Sequence, residues 1–192
     1  MLESLNQFIV RCSFSAWKVL LLFLGFFGSL QALMFIGEKI AVQTGGYPPF
    51  DLQNFLTPEE LLAQLPQYSD DAISLYLAFT TSDYLFPLFA GLFLATLWAF
   101  VLRHTKPRLY DTGVQKNRFV LLLIPTLLDW LENILLLTAI MMWPETPGMV
   151  AEAAVIAKQA KLVTTLIAQV STGLLLVYGL IFWITSKLQQ RS

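Results

Sequence analysis

Four stretches of this chain are apolar for about 20 residues, the length a helix needs to cross a hydrocarbon layer. They predict spans over about 17–36, 77–101, 119–142 and 161–184. The first is rich in Leu and Phe, with small residues Gly25, Gly28 and Ser29 that let a neighbouring helix approach closely. Gln31 is its one strongly polar interior position. Arg11 and Lys18 before this run loosely resemble a signal peptide, but Leu30-Gln-Ala32 is a poor cleavage site, so a retained helix is expected.

The connection over 37–68 is too long for a tight turn and should carry structure of its own. Gly45-Gly46 and Pro48-Pro49 break it. Thr57-Pro58-Glu59-Glu60 then predicts a capped short helix presenting Leu61, Leu62 and Leu65. It reads either as a surface lid or as a connector packed on the end of the helices. A second long helix should start at Ser69, with Asp70 and Asp71 on the positive end of its dipole, and run to Arg103. Within it, the polar patch Thr80-Thr-Ser-Asp-Tyr-Leu-Phe-Pro87 ends at a kink-forming proline, and Gly91 and Ala95 form a small contact face. The third span ends at Trp143-Pro144, and after Pro147-Gly148 a last helix is expected from about Met149 to Leu188.

Composition agrees with a membrane setting: 56% of residues are hydrophobic and only 13% charged, about half the charged share of soluble domains. With a net charge of -1, no global field favours nucleic acid, and the distribution of charge is more telling than its sum. Arg103, Lys106, Arg108, Lys116 and Arg118 crowd the connection between spans two and three, with Lys187 and Arg191 near the C-terminus. The other two connections hold Glu38, Asp51, Glu59, Glu60, Asp70, Asp71, Glu145 and Glu152, and only Lys39 outside the helix that follows. The positive-inside rule then predicts both termini cytoplasmic, and Trp17, Trp98, Trp143 and Trp183 fall at span ends. The expected fold is all-α: one transmembrane domain over 1–192, a four-helix bundle in the cell membrane, with 37–68 as a partly helical outer connection. A bacterial inner membrane is the expected location.

One cysteine, Cys12, excludes a disulfide or Cys-x-x-Cys redox pair, and one histidine, His104, excludes a His-rich metal site. No cofactor or metal is expected. The chemistry concentrates in Asp129-Trp-Leu-Glu-Asn133, where Asp129, Glu132 and Asn133 share one helix face at mid-span. Ionised carboxylates there cost a few kcal/mol at least and mark functional candidates. Asp83 lies about six residues outward of its span's midpoint, roughly 9 Å. Gln31, Gln169 and Lys161 (with Lys158 above it, and Thr164 and Thr165 between) fall in the same outer half, and Tyr84 adjoins Asp83. One buried polar cluster fed by all four spans is the expectation. Pro87 and Pro125 should free the carbonyls of Asp83 and Leu121 beside it.

Asp83-Tyr-Leu-Phe-Pro87 and Asp129-Trp-Leu-Glu-Asn133 resemble the Asp-x-x-Phe-Pro and Asp-x-x-Glu-Asn motifs of a group of small four-span bacterial membrane proteins. That resemblance implies the architecture and the choice of site residues, and no activity. Four-span sterol-isomerase-like proteins are a looser comparison, since they use histidine and His104 here lies beside the basic loop.

Two readings of the cluster stay open. It binds a lipophilic or cationic small molecule or moves an ion, which intramembrane acids suit. Alternatively the acids are internal glue in a structural subunit of a larger membrane complex, whose partners are the bilayer and other membrane proteins. A carboxylate pair could do acid–base work on a lipid, but no nucleophile–base motif accompanies it, which argues against an enzyme. The shared-site reading requires Asp83 and Glu132 to converge within about a helix diameter, roughly 10 Å.

Overall fold

The computed structural model describes residues 1–145 and 148–189. Pro147 and Arg191, used above as a breaker and a charge, lie outside the described residues. Among the described residues there is helix and no strand. Four helical segments are long and apolar enough to cross a membrane: 16–43, 70–105, 118–142 and 148–189.

The chain begins with a helix that the four apolar runs do not foreshadow, α1 (Leu2–Ser13). Its Ile9, Val10 and Cys12 are buried while Leu2 and Phe8 face outward. Ser15 then caps α2 (Ala16–Gln43), accepting from the Lys18 amide at 3.4 Å. The helix continues seven residues past Ile36, where the apolar run ends, because no breaker intervenes before Gly45 and Gly46. Those two glycines adopt φ of 71° and 111°, a region closed to most side chains. Gly37, inside the helix, seats the outer connection: a Cβ there would lie 3.3 Å from Leu52 Cδ1.

The connection after α2 folds as a 3-10 turn (Phe50–Leu52), the short α3 (Pro58–Gln64) and a second 3-10 turn (Leu65–Gln67). The capping box legible at Thr57 closes in both directions. Thr57 Oγ1 accepts from the Glu60 amide at 3.2 Å, and Glu60 accepts from the Thr57 amide at 2.9 Å. Leu61 and Leu65 are buried, so this segment packs down onto the helices rather than standing off them.

The helix α4 (Asp70–Thr105) is the axis of the molecule, touching α1, α2 and every later helix. Its glycine Gly91 makes room for the 118–142 segment, since a Cβ there would meet Leu123 and Thr126 at 2.7 Å. On the other side, Gly25 of α2 makes room for the Phe89 ring in the same way. The basic connection is itself helical, α5 (Pro107–Gln115), with Pro107 at its first turn. A 3-10 segment (Arg118–Leu123) leads into α6 (Ile124–Met142), and α7 (Gly148–Gln189) completes the chain.

Two cores result. Near the acidic connections, Phe50, Tyr68, Tyr76, Phe79 and Leu136 pack together. Near the basic ones, Ile9, Leu92, Ala95, Ala99 and Phe119 do so. These are called the acidic end and the basic end below.

Candidate functional site

On α6, Asp129, Glu132 and Asn133 are separated by one helical turn and turn inward together, while Leu127, Leu131 and Ile134 face out. On α7, Lys158 and Lys161 are likewise three apart and share a face. The two faces meet. Glu132 is fully buried, with Lys158 Nζ 2.6 Å from its Oε1 and Lys161 Nζ 2.5 Å from its Oε2. Both contacts are ion pairs outside hydrogen-bonding geometry.

Lys161 is the hub. Its ammonium also lies 2.5 Å from Asp51 Oδ1 and 3.1 Å from Asp129 Oδ1. An ammonium has three N–H donors, and here it meets three carboxylates from two separate parts of the chain, the Phe50–Leu52 turn and α6. Lys158 adds a bond to the Asp51 main-chain carbonyl at 2.9 Å. The 3-10 turn Phe50–Leu52 is thereby tied to α7 by both its backbone and its side chain.

Asn133 extends the network to α4. Its Nδ2 donates to Asp83 Oδ2 at 2.9 Å and to Asp129 Oδ2 at 3.1 Å. Asp83 is 1% exposed and Asn133 0%. The amide's Oδ1 has no hydrogen-bond partner. Tyr76, fully buried beneath the Phe50 and Tyr68 rings, also has an unpartnered hydroxyl.

Of the residues singled out in the sequence, Asp83, Asp129, Glu132, Asn133 and Lys161 therefore belong to one contiguous network. Three do not. Gln31 and Gln169 are exposed on the outward faces of α2 and α7, so the first span contributes no side chain to the cluster. Tyr84 is half-buried and turns its ring edge toward Trp130, 6.2 Å between centroids. Trp130 in turn donates its indole N–H to the Tyr84 carbonyl at 3.0 Å.

Pro87 stands inside α4, and α6 supplies donors beside it: Trp130 to the Tyr84 carbonyl, and Thr126 Oγ1 to the Pro87 carbonyl at 2.7 Å. Pro125 breaks nothing, because it stands in the first turn of α6 rather than inside a helix. The Leu121 carbonyl accepts from the Ile124 amide instead. A 3-10 segment in place of a continuous helix is what removes the expected gap.

Asp51 and Lys158 are the members that the sequence argument left out of its site. Their signals were present: an acid flanked by Phe50 and Leu52, and a lysine one turn from Lys161. Asp51 lies outside the four long helices, and its carboxyl is held below the usual aspartate range. Burial alone would raise it, but the ammonium groups of Lys161 and Lys158 more than offset that.

Asp51, Asp129 and Glu132 have oxygens all within 4.8 Å of one another, a spacing that suits a hard cation. The Lys161 ammonium stands among them, so the chain supplies its own cation at that point. Cys12 is buried at the basic end, and burial pushes its thiol up despite the opposing charge of Lys18, which fits packing and not nucleophilic chemistry. No family model, curated protein or solved structure matches the chain.

Proposed function

We propose that this is a multi-pass membrane protein, a four-helix bundle with both termini cytoplasmic, which takes up and releases a proton or small cation at the Asp83–Asp129–Glu132 network. A bacterial inner membrane is the expected setting, in keeping with the motif resemblance of Asp83–Pro87 and Asp129–Asn133. The gathering of Arg103, Lys106, Arg108, Lys116 and Arg118 in one connection and Lys187 near the C-terminus, against Lys39 alone beside Glu38, Asp51 and Glu145, supports the orientation.

The observation that carries the reading is a mismatch of charge. A structural clamp needs one acid per lysine. This network holds four acids (Asp51, Asp83, Asp129 and Glu132) and two lysines (Lys158 and Lys161). Fully ionised, it would carry two uncompensated negative charges out of water, and each buried ion costs several kcal/mol unless paired. Protons or a cation bring it to neutrality. The bare Oδ1 of Asn133 argues the same way, since the network is also short of a donor.

A second reading keeps one observation of its own. The Lys161 hub ties the outer connection, α6 and α7 together, as a structural accessory subunit would need. Proteoliposomes loaded with a pH-sensitive or sodium-sensitive dye and given an acid or salt step separate the two. Ion entry above that of empty vesicles, lost in Asp83→Asn with folded yield retained, supports uptake. No entry with the native chain, together with a collapse of yield in Asp83→Asn, leaves the structural reading.

A further inference from the structure

The basic ends of α4 and α7 approach closely at Val101 and Gly179, where a Cβ on the glycine would lie 2.9 Å from Val101 Cγ1, and part beside that contact. Between them lies a groove of about 660 Å³, lined chiefly by Phe100, Val101, Leu176, Leu180, Phe182 and Trp183. That volume is in the range of sites that hold a small organic group. Thr105, at the α4 side of this groove, also lines a second cleft of about 520 Å³ with Lys106, Pro107, Arg108 and Leu109. An apolar slot and a basic one thus meet at Thr105, and among the described residues no acid lines either.

Cations guard the rim from both helices. Lys106 Nζ lies 5.4 Å from the Tyr178 ring centroid and Lys187 Nζ 4.5 Å from that of Trp183. The Lys187 ammonium is thereby held over Trp183, a ring of the groove's wall, and Lys106, from the second cleft, over Tyr178, which adjoins the lining residue Gly179. His104 completes the lining at this level, its Nδ1 2.8 Å from the Phe100 carbonyl.

We propose that this pair of clefts seats one anionic phospholipid, an acyl chain in the groove between α4 and α7 and the phosphate against Lys106, Arg108 and Lys187. Charge complementarity selects the headgroup, and the apolar length of the groove selects a lipid over a free phosphate. The site rests on the chain lying in a membrane and is independent of the ion network at the other end.

The test uses the full chain purified from nanodiscs of equal parts phosphatidylglycerol and phosphatidylcholine, with retained lipid counted by native mass spectrometry. The native chain should keep one phosphatidylglycerol in preference to phosphatidylcholine, and inorganic phosphate should not displace it. Lys106→Ala and Lys187→Ala should each lower that preference roughly fivefold, from about 1 kcal/mol per basic residue near an anionic surface. Leu180→Trp, which fills the slot without changing charge, should lower retention of both lipids alike. Size-exclusion profiles matching the native chain show that each variant is folded. Equal retention of the two lipids by the native chain overturns the proposal, as does an unchanged preference in both lysine variants. Displacement by inorganic phosphate would also overturn it, by showing a simple anion site.

Discussion

The two ends of the molecule solve the same packing problem with opposite materials. At the basic end, small residues let helices touch: Ala95 and Ala99 are fully buried, and Gly25 and Gly91 leave space that neighbouring side chains occupy. Polar contacts there are single hydrogen bonds rather than clustered charges: Asn6 Nδ2 donates to the Gly113 carbonyl at 3.4 Å, and Arg103 reaches the Ser13 carbonyl at 3.1 Å and stacks over Phe14 at 3.8 Å. At the acidic end, the helices are joined by six charged side chains and one amide, roofed by the Phe50, Tyr68 and Tyr76 rings. Dispersion at the basic end is distributed and tolerant. Paired charge at the acidic end is concentrated, and removing one member strands the rest. The difference says where a single substitution should matter most.

The hardest test of this contrast is Lys161→Met. It would leave Asp51, Asp129 and Glu132 with Lys158 as their one remaining cation, and breaking a buried pair costs about 3–5 kcal/mol. Thermal or denaturant unfolding in detergent should show a loss of that order. Arg103→Met, at the partly exposed basic end, should cost less than about 1 kcal/mol. Equal losses would break the comparison.

A smaller effect probes the basic end on its own terms. In Gly91→Leu even the Cβ would lie 2.7 Å from Leu123 Cδ2 and from Thr126 Oγ1, and Thr126 donates to the Pro87 carbonyl. Overpacking of this kind costs about 1–3 kcal/mol. Gly28→Leu meets nothing within 4 Å and serves as the control, with unfolding expected within about 0.5 kcal/mol of the native chain. Helix propensity favours Leu over Gly at both positions, so a loss at Gly28 matching that at Gly91 would show that the Leu123 and Thr126 contacts are not what sets the cost.

These contrasts also explain what could be read from the chain beforehand. The long helices and the capping box at Thr57 depend on residues a few positions apart, so the pattern carries them. The face shared by Asp129, Glu132 and Asn133 is local in the same sense. Asp51 is not: it reaches Lys161 across 110 positions, and no periodicity links a residue of an extended connection to a distant helix. Depth counting failed for Gln31 and Gln169 because a count along a helix fixes height but not the direction in which a side chain points. The α1 helix escaped because its apolar face alternates with Glu3, Asn6, Gln7 and Arg11 and forms no continuous run.

The finest distinction concerns Asp51, the one network acid outside the long helices. Its folded-state carboxyl is held below the ordinary value of 3.8 because Lys161 and Lys158 outweigh the effect of burial. A depressed pKa in the fold means that the proton binds more readily when the segment is released. The stability Asp51 contributes is therefore complete above about pH 4 and is lost as pH falls through the lower folded value. Asp129 and Glu132 face the same lysine, so the fold should hold while the 3-10 turn loosens. Hydrogen exchange, corrected for intrinsic rate, should rise over Phe50–Gln67 as pH falls below about 4, with peptides of α1 and α5 unchanged. Asp51→Asn should exchange faster in that segment at every pH and show no step. A step that persists in Asp51→Asn belongs to the α6 acids, and the outer connection is then a passive cover.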